Sequence, residues 1–415
     1  MTELKPGIAS AANASGSEAV FHLSEMFYSR TDHRGVILSA NSVFQRVAGF
    51  EWDQLLGAPH KIIRHPDMPK GVFQLFWDRL KVGKPIGAYV KNRAKSGRYY
   101  WVFAIASPAE GGYVSIRLKP SSDFLDKVTA LYGTLLEREK SEGLTPAKSA
   151  ALLLEMLKEN GFANYDAFQS TAIAKEQQAR VQQLGRSLTP LQTRFLEMSR
   201  AIDQVQHETT ELTEAFQSIR TVPMNMRIIA SRLESAGGPI SAISVNYSQM
   251  LEDMSTWVRT FVDGDNCVFS RIRNAILGSQ FLGFVSGIEL EMAELFQTLD
   301  YTYPQDIDRE AEAERIEAHR QSYVGETARA LAEVEQEAKR LGRSVLDMKR
   351  YVTGLSSTRM MCKIESASLP DSDTALSGVV DQLDAGQNEI EERLGRVVEL
   401  NSIIQSNTAM LRTLL

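Results

Sequence analysis

IGAYVKNRAKSGRYYWVFAIASPAEGGYVSIRL, residues 86 to 118, reads as three β-strands in succession. Aromatic and β-branched residues fill the runs IGAYVKNRA, RYYWVFAIASP and GGYVSIRL. Lys95-Ser96-Gly97 and Glu110-Gly111-Gly112 supply the turns between them. Connections this short make antiparallel neighbours. Working outward, GVILSA (35 to 40) and the region from Phe27 add two shorter strands. The spacing predicts helices over Asn41 to Ala48, Trp52 to Leu55 and Lys70 to Val82. Two strands, helices and three strands within about 90 residues give a five-stranded antiparallel sheet with helices on one face, an α+β domain that must enclose something between its layers.

KIIRHPDMPK, residues 61 to 70, interrupts that helical middle with Arg64, His65 and Asp67 between apolar Ile63 and Met68. Pro66 and Pro69 fix their own φ and bias the preceding residues toward extended geometry. A stiffened loop with three titratable side chains suits a ligand. Arg64 can pair with pyrophosphate oxygen through its planar fork. Asn41 offers a donor and an acceptor to a ring edge, and Trp77 or Trp101 supplies a flat apolar wall. The competing reading makes Trp77 and Trp101 core residues and Arg64 with Asp67 an ion pair that steadies the loop.

The order of elements, with SANSVFQRVAGF (39 to 50), LLGAPHKIIRHPDMP (55 to 69), FQLFWDRLKVGKP (73 to 85), YVKNRAKSGRYYWV (89 to 102) and GGYVSIR (111 to 117), resembles the PAS sensor domain of the aerotaxis receptor family. That resemblance implies non-covalently bound FAD between the sheet and the helical face. It carries Asn41, Arg64, His65, Asp67, Phe73 and Trp77 over as residues tied to flavin binding or signalling. Asn92 and Trp101 complete the candidate cofactor set. One departure is Ile86, which stands where the family commonly has Trp after the KxGxP stretch. PAS domains also bind haem, for which His65, aimed by the following proline, would be the axial ligand. A cofactor-free interaction domain is the remaining alternative.

After Leu118 the strand signals stop and an all-α region of coiled-coil or four-helix-bundle type is expected. Ser121 to Glu139 reads as a helix leaving the PAS domain. Thr145-Pro146 opens another and Asn160-Gly161 ends it. Val181, Leu184, Leu188, Leu191, Phe195, Met198, Ile202, Val205, Thr209, Leu212, Phe216 and Ile219 are spaced 3, 4, 3, 4, which predicts one seam about 57 Å long. Further seams start at Ile240, Leu331 and Leu376, with breaks at Gly237-Gly238-Pro239 and Leu369-Pro370-Asp371. Two helical hairpins follow. Arg232-Leu233-Glu234-Ser235-Ala236 before the first break matches Lys363-Ile364-Glu365-Ser366-Ala367 before the second. NMRIIASRLESAGGPISAISVNY (225 to 247) resembles a shortened signalling tip of methyl-accepting chemotaxis proteins, though it lacks their Arg-Ala-Gly-Glu core. The resemblance implies a chemotaxis histidine kinase or its adaptor as partner. The expected boundaries are a flexible N-terminus (1 to 20), the PAS domain (21 to 120), linker helices (121 to 179) and two hairpins (180 to 300 and 301 to 415).

Composition narrows the function. Residues 21 to 120 carry 15 Lys plus Arg against 7 Asp plus Glu, within a chain whose net charge is −6. The basic domain suits an anionic ligand or the chain's own acidic helices, and no recognition motif points to nucleic acid. Asn266-Cys267-Val268-Phe269 echoes the cysteine motif of LOV photoreceptors but lies far outside the PAS segment. Gly278, Gly283 and Gly287 permit close helix packing. The apolar stretch Ala275 to Leu290 is interrupted by Ser279, Gln280, Ser286 and Glu289, short of the roughly 20 residues a spanning helix needs. With no secretory signal and only two separated cysteines, a cytoplasmic protein is expected. No phosphate loop, nucleophile motif or kinase signature marks an enzyme. The expectation is a flavin-based sensor of redox state or oxygen that acts on signalling partners, with homodimerisation through the PAS domain a further possibility.

Overall fold

A computed structural model describes residues 16–232, 238–262, 264, 267–297, 308–368 and 374–415. Strands β1 (Phe27–Asp32), β2 (Ile37–Ala40), β3 (Ile86–Arg93), β4 (Tyr99–Ala109) and β5 (Gly112–Leu118) form one antiparallel sheet in the order β2-β1-β5-β4-β3. Between β2 and β3 lie α1 (Ser42–Ala48), α2 (Trp52–Leu55), a 3-10 turn at His60–Ile63 and α3 (Lys70–Lys81). Helices α4 (Phe124–Ser141), α5 (Pro146–Glu159), α6 (Tyr165–Gln183), α7 (Pro190–Ile219), α8 (Val222–Arg232), α9 (Gly238–Phe261), α10 (Val268–Gln297), α11 (Arg309–Ser368) and α12 (Thr374–Leu414) follow. The α+β domain and the helical remainder are as expected from the sequence. None of the helices is long and apolar enough to cross a membrane, among the described residues.

The chain divides into two compact units. The first holds the described residues up to Gln192 together with Leu277–Thr327, and the second holds Thr193–Ile276 with Ala328–Leu415. This division departs from the expected boundaries: Leu277–Thr327, expected within the two hairpins, belongs to the first unit, and three local differences accompany it. At the N-terminus, residues 1 to 15 lie outside the described residues, but Ala19 N–H donates to Tyr99 O at 2.7 Å and Tyr99 N–H to Ser17 O at 3.2 Å. The end of the segment expected to be flexible is therefore paired with β4.

The helices of 121 to 179 are not a free linker. Helix α5 lies so close to α3 that a Cβ at Gly71 would stand 2.4 Å from Ser149 Oγ. Helix α6 closes the exposed edge of the sheet: Gly87 N–H donates to Gln169 Oε1 at 3.1 Å, and Tyr165 O–H donates to Gly87 O at 3.0 Å. An amphipathic helix needs an apolar partner, and an edge strand needs its unpaired groups covered. The sheet and α3 meet both needs. The Glu176 carboxylate on α6 accepts from Tyr89 O–H at 2.6 Å and from Ser121 and Ser122 N–H at 2.6 and 3.1 Å, which ties down the exit from β5.

The long seam expected from Val181 is broken. Helix α6 ends at Gln183, Gly185 adopts φ 65°, and α7 begins only at Pro190. Glycine past a helix end and proline in a first turn are stop and start signals that override the 3-4 spacing. The rest of that seam, Phe195 to Ile219, is buried in the second unit. So are Ile240, Ile243, Tyr247 and Met254 of α9, Leu331 to Val352 of the α11 seam, and Val380, Leu383, Ile390, Leu394 and Val397 of α12. Trp257 on α9 donates to Ser344 on α11, and Arg393 on α12 pairs with Glu208 on α7 at 3.0 Å. In the second unit α7, α8, α9, the later part of α11 and α12 thus pack within one chain, without the Leu277–Thr327 segment of the expected hairpins. Both hairpin turns (233 to 237 and 369 to 373), most of the first copy of the repeated motif, and Asn266 lie outside the described residues.

Candidate functional site

Strand alternation sorts the sheet into two faces. Val90 and Asn92 of β3, Ala104 and Ala106 of β4, Tyr113, Ser115 and Arg117 of β5, and Ser29 and Thr31 of β1 point toward α3. The register sets Val90 opposite Val102, Ala104 opposite Arg117 and Ser29 opposite Ser115. Facing them, α3 presents Phe73, Phe76, Trp77 and Leu80 at helical spacing, while His60, Lys61 and Arg64 enter from the 3-10 turn and the loop behind it. A cavity of about 110 Å³ remains between the layers. Small Ala104 and Ala106 leave this room where larger strand residues would fill it.

The stiff loop has two faces. Arg64 bridges to Asn92 through the backbone and lays its guanidinium 3.8 Å over the Phe73 ring. Burial lowers its pKa, partly offset by Glu139. His65 and Asp67 turn away from the cavity. His65 Nδ1 accepts the Asp67 N–H at 3.1 Å, and Asp67 pairs with Lys91 at 2.9 Å. That hydrogen bond from Lys91 holds the Asp67 carboxyl below its ordinary range. Burial and the Lys91 charge lower His65 as well. Asp67 thus ties the loop to β3 while His65 braces the loop itself, and His65 is not placed to ligate a haem iron in this cavity.

Of the eight residues expected from sequence, Arg64, Phe73, Trp77 and Asn92 meet in the cavity. Four do not. Besides His65 and Asp67, Asn41 is occupied elsewhere: its Oδ1 accepts from Tyr28 and Phe44 N–H at 3.0 and 3.1 Å, and its Nδ2 donates to Met26 O at 2.8 Å. It is the N-cap of α1 and a clip to β1. Trp101 lies on the opposite face of the sheet, 6.4 Å from Tyr132 of α4. In β4 the inward positions are even-numbered, so Val102 points in and Trp101 out. Ile86 is fully buried on the inward face but does not line the cavity.

The sequence reading missed Arg117 and His60. Arg117 Nη2 donates to Ser29 Oγ at 2.8 Å and stands 2.6 Å from His60 Nε2. Since arginine only donates, that nitrogen of His60 is the acceptor and the ring is neutral. Burial and the adjacent guanidinium hold His60 well below the ordinary histidine range, and burial pushes Arg117 down to about 10. The signal that would have found Arg117 is the alternation Tyr113, Ser115, Arg117 along β5. No acidic residue lines the cavity, which therefore combines flat apolar walls with Lys61, Arg64 and Arg117 as cations. Among the described residues, no group of three or more His, Cys, Asp or Glu is arranged to hold a metal ion.

Comparison with known proteins accords with this architecture. Residues 37–116 match the family model of the PAS fold. Over 112 residues the chain is 44% identical to the aerotaxis receptor of Escherichia coli strain K12, a match covering 26% of this chain and 22% of that receptor. The first domain is thus a PAS sensor domain of the aerotaxis-receptor type, a signal-transduction module, and the likeness to the receptor covers about a quarter of the chain.

Proposed function

We propose that this chain is a redox-responsive signalling protein whose PAS cavity holds FAD and whose helical region passes the response to chemotaxis partners such as a histidine kinase or its adaptor. The observation that carries this reading is the cavity's chemistry: aromatic and aliphatic walls, three cations and no carboxylate. That set fits a planar heterocycle with an acceptor edge and a phosphate-bearing tail. Phe73, Phe76, Trp77 and Leu80 offer the flat wall, and Asn92 offers a donor and an acceptor in the cavity. Arg64 and exposed Lys61 suit the phosphates. Bound flavin would supply an electron-accepting ring whose charge and hydrogen-bonding demands change on reduction.

Transmission follows from strand alternation. Ser29 and Thr31 of β1 line the cavity, while Tyr28 and Arg30 of the same strand bind Glu312 of α11 on the other face. A repacking at the cavity therefore reaches the helices through one strand. The test is a titration of flavin-free protein with FAD and with riboflavin, followed by fluorescence. FAD should bind more tightly than riboflavin, and Arg64→Ala should remove most of that difference. Equal affinities in the native chain would contradict the assignment of the rim cations to phosphate, and binding of neither would sink the flavin reading.

A further inference from the structure

Arg117 is a charge that the protein buries and does not neutralise. Its side chain reaches the cavity from the centre of the sheet, and the residue is 4% exposed. Nη2 is engaged by Ser29 and His60, whereas Nη1 is buried with no hydrogen-bond partner. The guanidinium rests 5.0 Å over the Phe44 ring. None of these neighbours carries negative charge, because His60 is a neutral acceptor and Ser29 a hydroxyl. Lys61 and Arg64 add charge of the same sign at the rim. Burying a cation without a counter-ion is strongly unfavourable, and a site that does so is poised for an anion.

We propose that Arg117 makes the cavity discriminate between charge states of its ligand, binding a negatively charged ring more tightly than a neutral one. This deepens the flavin reading and rests on it. Two electrons and one proton taken up by a neutral flavin ring leave one net negative charge, with dithionite as the electron donor in the test below. Exposed Lys61 and half-buried Arg64 at the rim would face phosphates, whose charge is the same in both states, so their effect largely cancels in the comparison. Arg117 is the buried one of the three cavity cations, and its Nη1–H, without a partner, is a donor already in place. Because binding and reduction are linked, a preference for the reduced ring makes the bound ligand easier to reduce than the free one.

The experiment measures dissociation constants for FAD by anaerobic ultrafiltration, oxidised and after dithionite reduction, in the native chain and in Arg117→Met and Arg117→Lys. The native chain should hold reduced FAD about tenfold or more tightly than oxidised FAD, as a charge interaction in a low-dielectric site allows. Arg117→Met should bring the ratio close to one, and Arg117→Lys should retain a preference. An unchanged ratio in Arg117→Met overturns the proposal. If that variant does not fold, as judged by circular dichroism, the native ratio decides, and a ratio at or below one overturns it. Binding of both forms with equal affinity removes this inference alone, whereas binding of neither removes the flavin reading with it.

Discussion

The Tyr28 hydroxyl donates to the Glu312 carboxylate although 284 residues separate them, and Arg30 from the same strand pairs with that carboxylate at 2.8 Å. Glu312 is almost wholly buried, and its partners project from the face of β1 turned away from the cavity. Burial and the neighbouring carboxylate raise the Tyr28 hydroxyl well above its ordinary range, so it remains a donor. Glu312→Ala strands Arg30 and a buried hydroxyl and should cost about 3–5 kcal/mol. Urea unfolding of the full chain measures it. A loss of only a few tenths of a kcal/mol would mean that the cluster holds nothing together.

Gly71 lets α5 lie against the start of α3, where an added Cβ would meet Ser149 Oγ at 2.4 Å and backbone atoms of Ser149 and Ala150 at 2.5 and 2.6 Å. Two of those three atoms are backbone, so rotating a side chain does not relieve the clash. Gly71→Ala should destabilise the first unit by about 1–3 kcal/mol and speed hydrogen exchange in residues 146 to 159. Native exchange rates there would show that α5 accommodates the methyl group.

Trp77 lines the cavity and Trp101 does not, so the two tryptophans should separate in a binding assay. Trp77→Ala should lower FAD retention at least about tenfold, in line with the loss of one large aromatic contact. Trp101→Ala should leave retention near native while reducing thermal stability. Equal losses of retention in both variants would contradict the face assignment.

His60 gives the PAS domain a pH dependence with a defined sign. Its folded pKa lies below the ordinary value near 6.5, owing to burial first and Arg117 second. Between those two values the unfolded chain binds more protons than the folded one, so stability rises with pH and is lost as pH falls below about 6.5, by at most about 1.4 kcal/mol per pH unit for one group. His65 acts in the same direction, so the comparison with His60→Asn is decisive. Denaturation midpoints of that variant should vary less between pH 5 and 7, a window set by the ordinary histidine value. Identical slopes would remove His60 as the cause.

Much of this was legible in the sequence and some was not, for identifiable reasons. The sheet could be read because turns at Lys95-Ser96-Gly97 and Glu110-Gly111-Gly112 punctuate runs of strand-forming residues. Which residues face the cavity was harder, since a shift of one residue exchanges Trp101 for Val102. The role of Asn41 was written in its position just before a helix, where a cap is the commonest use of asparagine. Gly185 and Pro190 marked the end of α6 and the start of α7, but the unbroken 3-4 spacing masked them. What α5 and α6 pack against was beyond reach, because an apolar helix face shows that a partner exists without naming it. Arg117 was passed over because one arginine in a basic segment looks like any other until its carboxylate-free surroundings are seen.

The most direct test of the central claim is the absorption spectrum of the full chain as purified, followed by heat release and chromatography of whatever it carries. Flavin in the PAS cavity predicts a band at about 450 nm that bleaches on reduction, with FAD in the released fraction. A chain that shows no such band, and acquires none after incubation with FAD, would contradict the account. A strong band near 400 nm would do so as well, by pointing to haem.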